Sequence, residues 1–243
     1  MTKRMGRIVL VTGLAAAAAS EVSAQTPSEP PSRVFVNVNA GAQPSRRFIT
    51  TSRAFTVYDE PATIATNQRI GNGPVIDISG GYRVWSNLAI GVGFTSFSDT
   101  SSSSVTASIP DPLFFDRTAA VTSTATGLEH TERTIHLQAV WFVPVTNKID
   151  VAVSAGPSFV KVGQQLVSSV TVPARTQNLD VVVGDESGTA KGFHVGFDGN
   201  YFFTARLGAG IFVRYTAASV DLPSVPGLKV SGLNLGLGVR IRL

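Results

Sequence analysis

The sequence predicts an all-β fold, a closed eight-stranded antiparallel up-and-down transmembrane β-barrel, and three observations predict it. Eight segments alternate apolar with small or polar residues at the period of a strand, each near the ~9–11 residues that cross a bilayer as a tilted strand. Short and long connections between the segments alternate strictly along the chain. One side of every segment is free of charge.

The 243 residues open with the form of a cleavable signal peptide over 1–24. Lys3, Arg4 and Arg7 make a basic start, Ile8 to Ala19 an apolar stretch too short to span, and Val22-Ser23-Ala24 a small-residue cleavage site. Cleavage there leaves Gln25 first and 25–32 as a short N-terminal segment. Ile8 to Gly13 could open a nucleotide-binding fold, but the polyalanine that follows lacks the further glycines of that fingerprint. Without the leader the chain carries 17 Lys and Arg against 15 Asp and Glu, a balance that does not suggest a nucleic-acid partner. No cysteine is present, which excludes disulfides and a lipid-modified cysteine. There is no run of 18 apolar residues for a helical anchor.

The first strand candidate, 33–43, sets Val34, Val36, Val38, Ala40 and Ala42 on one side and Phe35, Asn37, Asn39 and Gly41 on the other. The long connection 44–73 contains Phe48 to Tyr58, itself strand-like, so an extra hairpin there is left open. Candidates 74–84 and 87–98 are joined by Trp85-Ser86 alone. After 99–132, rich in Ser and Thr, come 133–144 and 148–161, joined by Val145-Thr146-Asn147. After 162–189 come 190–203 and 206–217, joined by Thr204-Ala205; 218–228 then leads to the last strand, 229–243. In bacterial outer-membrane barrels the periplasmic turns are short and the extracellular loops long. This order therefore places all four long loops outside and both termini in the periplasm, with 33–243 as one barrel domain.

Alternation alone does not say which face meets lipid; composition does. Of 40 positions on the apolar side of the eight segments, 36 are apolar, and the exceptions are Gly80, Ser96, Pro157 and Gly199. Between them lie 32 positions, ten of them Gly, whose only charges are Asp77, Arg83, Asp198, Arg214 and Arg240. A water-facing sheet would carry Lys and Glu, whereas a lumen just wide enough for side chains suits Gly, Ser, Asn and isolated Arg and Asp. A central Arg or Lys facing lipid costs ~2–4 kcal/mol, which accounts for the charge-free stripe. Tyr82, Trp85, Trp141, Tyr201 and Phe203 cluster by the three short turns, and Phe94, Phe159, Phe193 and Tyr215 toward the long connections, the placement of two aromatic girdles.

At the last strand, Gly236-Leu237-Gly238-Val239-Arg240-Ile241-Arg242-Leu243, the chain resembles the OmpA/OmpX-type family of small outer-membrane barrels (outer membrane protein beta-barrel domain). That resemblance implies an assembly signal at Gly238, Ile241 and Leu243, read by the outer-membrane assembly machinery. Gly238 and Ile241 fit the family pattern, while Leu243 stands where an aromatic is usual and Gly236 where a polar residue is. It also implies periplasmic chaperones during biogenesis, and outer-membrane lipid and lipopolysaccharide as surroundings. Larger members append a peptidoglycan-binding domain; the chain stops where that would begin, so no cell-wall tether is expected.

Asp77, Arg83, His136, Asp150, His194, Asp198, Arg214, Arg240 and Arg242 would point inward, with Asn37, Asn39, Gln138, Asn200 and Asn234. Opposite charges in a narrow lumen should pair, so a closed polar plug with a structural role is expected; a small-solute pore is the alternative. His136 and His194 share a face with Ser154, Ser158 and Asp198, the residue types of a hydrolytic triad, and some small barrels modify lipid A. The His-x-Ser pair of the deacylase members is missing, however, and outer-membrane proteases have ten strands, so no catalytic residue is assigned. Glu129-His130, Glu132 and His136 have no known metal-ligand spacing, and Gly208-Ala209-Gly210 reads as close packing rather than a phosphate loop. No metal or cofactor is expected. Loops 99–132 and 162–189 offer the surface for a partner: Val105 to Ile109, Arg117 to Thr126, Gln165 to Val172 and Asn178 to Val183 alternate as protruding hairpins would, and a free edge can add a strand. The competing reading is polar surface filler.

Overall fold

The computed structural model describes residues 32–44, 47–57, 59–111, 117–171 and 179–243. The expected signal peptide, 1–24, and all but the last residue of the segment 25–32 lie outside the described residues. Ten strands are present among them: β1 (Val34–Gln43), β2 (Arg47–Val57), β3 (Glu60–Ile70), β4 (Gly73–Arg83), β5 (Leu88–Pro110), β6 (Thr118–Pro144), β7 (Ile149–Thr171), β8 (Asp180–Phe202), β9 (Leu207–Val220) and β10 (Leu228–Arg242).

Eight of them form a ring. β1 pairs with β4 on one side and with β10 on the other, so that Val38 lies opposite both Ile78 and Val239. From β4 the antiparallel pairings run through β5, β6, β7, β8 and β9 back to β10. Closure removes every edge, which hydrocarbon demands, since an unpaired N–H or C=O there costs several kcal/mol. The three turns are tight, with Val84, Val145 and Phe203 donating to the carbonyls of Leu88, Ile149 and Leu207 at 2.9, 3.0 and 3.0 Å. In two of them a threonine hydroxyl accepts from the backbone: Thr146 from Lys148 and Ile149, Thr204 from Arg206 and Leu207.

The connections expected as long loops are largely strand. β5 runs 16 residues past Phe94, roughly 50 Å of extended chain, and β6, β7 and β8 extend with it. The possibility left open at 44–73 resolves as the hairpin β2–β3, whose β3 pairs with the outer half of β5 from Thr63↔Ser108 to Gln68↔Ser103. The extensions bend at two irregularities, between Ser101 and Ser103 and between Val167 and Ser169. At the first, β6 holds an extra residue beside Gly127, whose φ of 74° is the left-handed conformation that a bulge assigns to glycine.

Along these long strands the apolar face changes sides. Near the turns Ile76, Leu137, Val153 and Leu235 are 41–56% exposed on the outer surface while Asp77 and Arg240 are 0% and 1% exposed. Beyond a level marked by Phe94, Ile135, Phe159, Phe193 and Tyr215 the pattern inverts. On β5 Val105, Ala107 and Ile109 become buried, and Ser104 and Thr106 face out. Two media account for this: an aliphatic belt suits hydrocarbon, and an apolar interior with a polar surface suits water. The inner apolar residues form three groups: Phe35, Ala89, Val140, Phe142 and Ala152 at the turn end, a cluster around Val75, Phe97, Val160, Val162 and Phe212, and one around Ile64, Val105, Ala107 and Leu128 in the extensions. The plug expected to be polar throughout is thus a polar band between apolar layers.

Candidate functional site in the barrel interior

The band is built around two buried arginines. Arg240 points inward from β10, where the alternation puts it on the same side as Gly236 and Gly238. Its Nε donates to Asn200 Oδ1 at 2.5 Å, Nη1 to Asn39 Oδ1 at 2.5 Å, and Nη2 to Asp198 Oδ1 at 3.1 Å and to the Ile211 carbonyl at 3.3 Å. Glycine makes the room: a Cβ at Gly238 would run into Asn39 and Arg240, and one at Gly210 would lie 2.8 Å from Arg240 Nε. Within the ladder, then, Gly238 has a packing requirement apart from any assembly signal. Ile241 is half-buried on the opposite face of the strand, and Leu243 is exposed at the strand end.

Asp77 is the second hub. It accepts from Asn39 Nδ2 at 2.8 Å and from the Thr95 hydroxyl at 2.7 Å, and pairs with Arg214 from across the lumen. Asn39 joins the two hubs through its amide. From Asp77 a hydrogen-bonded row continues. His136 Nε2 lies 3.0 Å from Thr95 Oγ1, His136 Nδ1 2.8 Å from Ser158 Oγ, and Ser158 Oγ 3.0 Å from His194 Nδ1. Because the Thr95 proton goes to Asp77, Thr95 accepts from His136 Nε2–H, Ser158 donates to His136 Nδ1, and His194 Nδ1–H donates to Ser158. The two rings meet edge-on with centroids 4.5 Å apart.

Toward the turns, Asp150 accepts from Asn200 Nδ2 at 2.8 Å and pairs with Arg242. The Arg242 guanidinium lies 3.5 Å over the Phe202 ring, and that of Arg83 4.1 Å over Phe142, the favourable arrangement for a cation on an aromatic face. Arg83 also donates to the Ser86 carbonyl at 3.3 Å; unlike the other three arginines, it has no ion pair among the described residues. All nine residues expected in the network therefore face the interior, and eight of them join it by hydrogen bonds or ion pairs.

Toward the extensions Glu132 pairs with Arg47 and with His130, whose Nε2 is 2.7 Å from Glu132 Oε1 and Nδ1 2.5 Å from Gln164 Oε1. Burial alone would raise the Glu132 carboxyl, but the hydrogen bond from His130 and the Arg47 charge together hold it below the ordinary carboxylate range. Both ring nitrogens of His130 are thus engaged, and no group of three metal-ligating side chains occurs among the described residues.

The residues of a hydrolytic triad are only partly brought together. Ser158 touches both histidines, but Asp198 is held by Arg240, and the carboxylate nearest His136 along the row is reached through Thr95. Ser158 and His136 are both 0% exposed. The interior void at this level measures ≈10 Å³, about one water, and is lined by Thr216 Oγ1 and Asn234 Oδ1, which lack protein partners. The sequence reading missed Thr95 as the bridge from Asp77 to His136, and Arg47 as the partner of Glu132. Alternation does place Thr95 inward, level with Asp77, whereas Arg47 lies on the unforeseen hairpin.

The five expected girdle residues near the turns all face outward: Tyr82, Trp85, Trp141, Tyr201 and Phe203 are 44–70% exposed. Tyr201 and Phe203 pack edge-on at 5.3 Å.

A family model described as outer membrane protein beta-barrel domain matches residues 9–240. No curated protein matches the chain. Among solved structures the chain is similar to neisserial surface protein A (NspA), 16% identical over 86% of this chain and 97% of that one, with a TM-score of 0.48. It is similar also to the outer membrane protease OmpT of Escherichia coli, 8% identical over 90% and 99% with a TM-score of 0.48. A third is the outer membrane protein OprG of Pseudomonas aeruginosa, 13% identical over 88% and 98% with a TM-score of 0.40.

Proposed function

Since the chain belongs to the outer membrane protein beta-barrel domain family, we propose that it is a monomeric, non-conducting and non-enzymatic barrel of the bacterial outer membrane, which carries a surface-interaction platform on its long strands. Both termini and the three tight turns face the periplasm, and the extensions of β5 to β8 with the β2–β3 hairpin stand outside the cell.

The observation that carries this reading is the filled cross-section. A pore needs a continuous aqueous path, and here the band from Arg242 to Arg214 crosses the lumen with ion pairs, closed on either side by Phe35 and Phe142 and by Phe97 and Val160. The same burial keeps Ser158 and the two histidines from any substrate, which supports a stabilising role for the row. The platform rests on an edge: among the described residues β2 is paired in the sheet with β3 alone, and a free strand edge is a ready template for strand addition.

Planar-bilayer recording of the refolded barrel tests closure. A quiet membrane is expected, and a steady nanosiemens open state would overturn it. Orientation is tested separately by exploiting the absence of native cysteine. With single-cysteine variants in intact cells, a membrane-impermeant maleimide should label Thr122→Cys and spare Asn147→Cys.

A further inference from the structure

Arg214, Arg240 and Arg242 in the lumen are each matched by a carboxylate, and on the β2–β3 hairpin Arg47 pairs with Glu132 and Arg53 with Glu186 of β8 at 3.6 Å. On the outer surface three cations without a carboxylate stand together. Arg133 of β6, Lys161 of β7 and Lys191 of β8 face outward on three neighbouring strands, all exposed, and none has an ion pair or hydrogen bond among the described residues. Arg133 lies directly opposite Lys161 in the ladder, and Lys191 lies opposite Phe159, one step diagonally from Lys161. Like charges opposite one another destabilise a sheet, so three together call for a counter-charge. The chain does not supply it: the outward carboxylates of these strands come much farther out, Glu129 four residues beyond Arg133 and Asp185 six residues from Lys191, roughly 13 and 20 Å along the strand.

The level of the cluster identifies the missing partner. Arg133, Lys161 and Lys191 sit one step beyond Ile135, Phe159 and Phe193 on their own strands, at the line where the outer face changes from aliphatic to polar. A groove of ≈490 Å³ runs between them, with Phe94, Ile135 and Phe159 below and the cations above. A ligand matching this surface has an anionic, multiply hydrogen-bonding head directly above hydrocarbon chains. Arginine and lysine in combination favour phosphate, the first by its fork of donors and the second as a point charge. Elsewhere on this rim the outward positions next to the belt are uncharged, Pro74 on β4, Ser96 on β5 and Ala217 on β9, and Lys229 of β10 stands singly farther out, opposite Ser219. The patch is therefore local and not a uniform basic collar.

We infer that Arg133, Lys161 and Lys191 form a binding site for the phosphorylated headgroup of a lipid in the leaflet at the extension end of the barrel, with its acyl chains on Phe94, Ile135 and Phe159. This deepens the proposed function by naming a lipid partner, and rests on that reading for the leaflet being the outer one.

The full barrel, refolded into phosphatidylcholine nanodiscs, tests the site. Nanodiscs would contain a small share of bis-phosphorylated lipid A, the same lipid A after enzymatic removal of its phosphates, or the bis-phosphorylated lipid A with an equal concentration of inorganic phosphate in the buffer. Lipid retained per barrel is counted by native mass spectrometry. Wild type should retain phosphorylated lipid A at least tenfold over the dephosphorylated form, and Arg133→Gln/Lys161→Gln/Lys191→Gln should lose that preference while Lys229→Gln keeps it. Equal retention of the two lipid forms by wild type, or an unchanged preference in the triple variant, would overturn the site; inorganic phosphate displacing lipid A at equal concentration would overturn its assignment to a lipid. Should the triple variant fail to give the heat-modifiable band of a folded barrel, Lys161→Gln alone is used, with a threefold or greater loss expected. The maleimide labelling above reports orientation independently, so a reversed barrel that still prefers phosphorylated lipid would refute the leaflet and not the site.

Discussion

Removing the Arg240 guanidinium while keeping its packed stem, Arg240→Met, isolates what the polar band contributes. Three side-chain oxygens lose their donor: Asp198 Oδ1, Asn39 Oδ1 and Asn200 Oδ1. Arg240 is the only ion-pair partner of Asp198 among the described residues, and leaving one member of a buried pair unmatched costs ~3–5 kcal/mol. Each orphaned amide oxygen adds ~1–3 kcal/mol where no water reaches it. These costs overlap, because side chains will turn to re-pair, so about 4 kcal/mol is expected for the whole. With a urea slope of ~2 kcal/mol per M, the unfolding midpoint in lipid vesicles should fall by ~2 M. The second half of the test is Asp198→Leu/Arg240→Met. Replacing both partners by apolar groups removes the unmatched charge, and buried pairs so replaced are often neutral, so the double variant should recover more than half of the loss. A single-variant loss under ~1 kcal/mol, or losses that simply add in the double variant, would refute the claim that the two charges are a coupled buried pair.

Two further outcomes follow from the same geometry. On β5, Val92 faces outward below the aromatic level and Thr106 faces outward above it; Val92→Arg should cost ~2–4 kcal/mol in vesicle refolding equilibria and Thr106→Arg no more than ~0.5 kcal/mol, and equal costs would refute the change of medium along that strand. Glu132 is held below the ordinary carboxylate value, so its stabilisation is present above that value (about 4.3) and is lost as pH falls through the lowered one. Thermal midpoints in detergent should therefore drop more steeply on acidification for wild type than for Glu132→Gln, and parallel curves would refute the contribution.

The transmembrane part was readable because lipid imposes a strict rule on alternate residues. Val34 to Ala42 could be assigned to faces by period alone, and the same faces recur in the ladder, where Asn39 lies opposite Asp77 and Gly238. The extensions were harder for a physical reason. On β5 beyond the membrane, serine fills both faces from Ser101 to Ser104, so the period carries no amphipathic signal there until Val105. The hairpin β2–β3 was equally obscure: Thr50, Thr51, Ser52 and Arg53 give no clean alternation, and its place is set by pairing with Ser103 to Ser108 of β5, a partner remote in sequence. At the site, charge type located Asp77, Arg214, Asp198 and Arg240. Which acid meets which base depends on strand stagger around the ring, and so Arg240 meeting Asp198 while Arg214 meets Asp77 could not be read from spacing.

The polar band also answers a problem that lipid creates. In water a strand's apolar side turns inward because hydration distinguishes the two faces, and the extensions obey this at Val105, Ala107 and Leu128. In hydrocarbon an apolar lumen would be matched by an apolar exterior, and nothing would oppose a one-residue slip that exchanges all inner and outer positions of a strand. Here such a slip on β4, β9 or β10 would turn Asp77, Arg214 or Arg240 out to lipid, at ~2–4 kcal/mol for each arginine near mid-membrane, and would also orphan its partners. It would drive Ile76, Val213 or Val239 into the crowded lumen, where Gly210 and Gly238 keep space clear for a guanidinium. The ion pairs therefore encode which face is inner in the zone where the hydrophobic effect cannot, and the apolar clusters take over that task where the strands emerge into water.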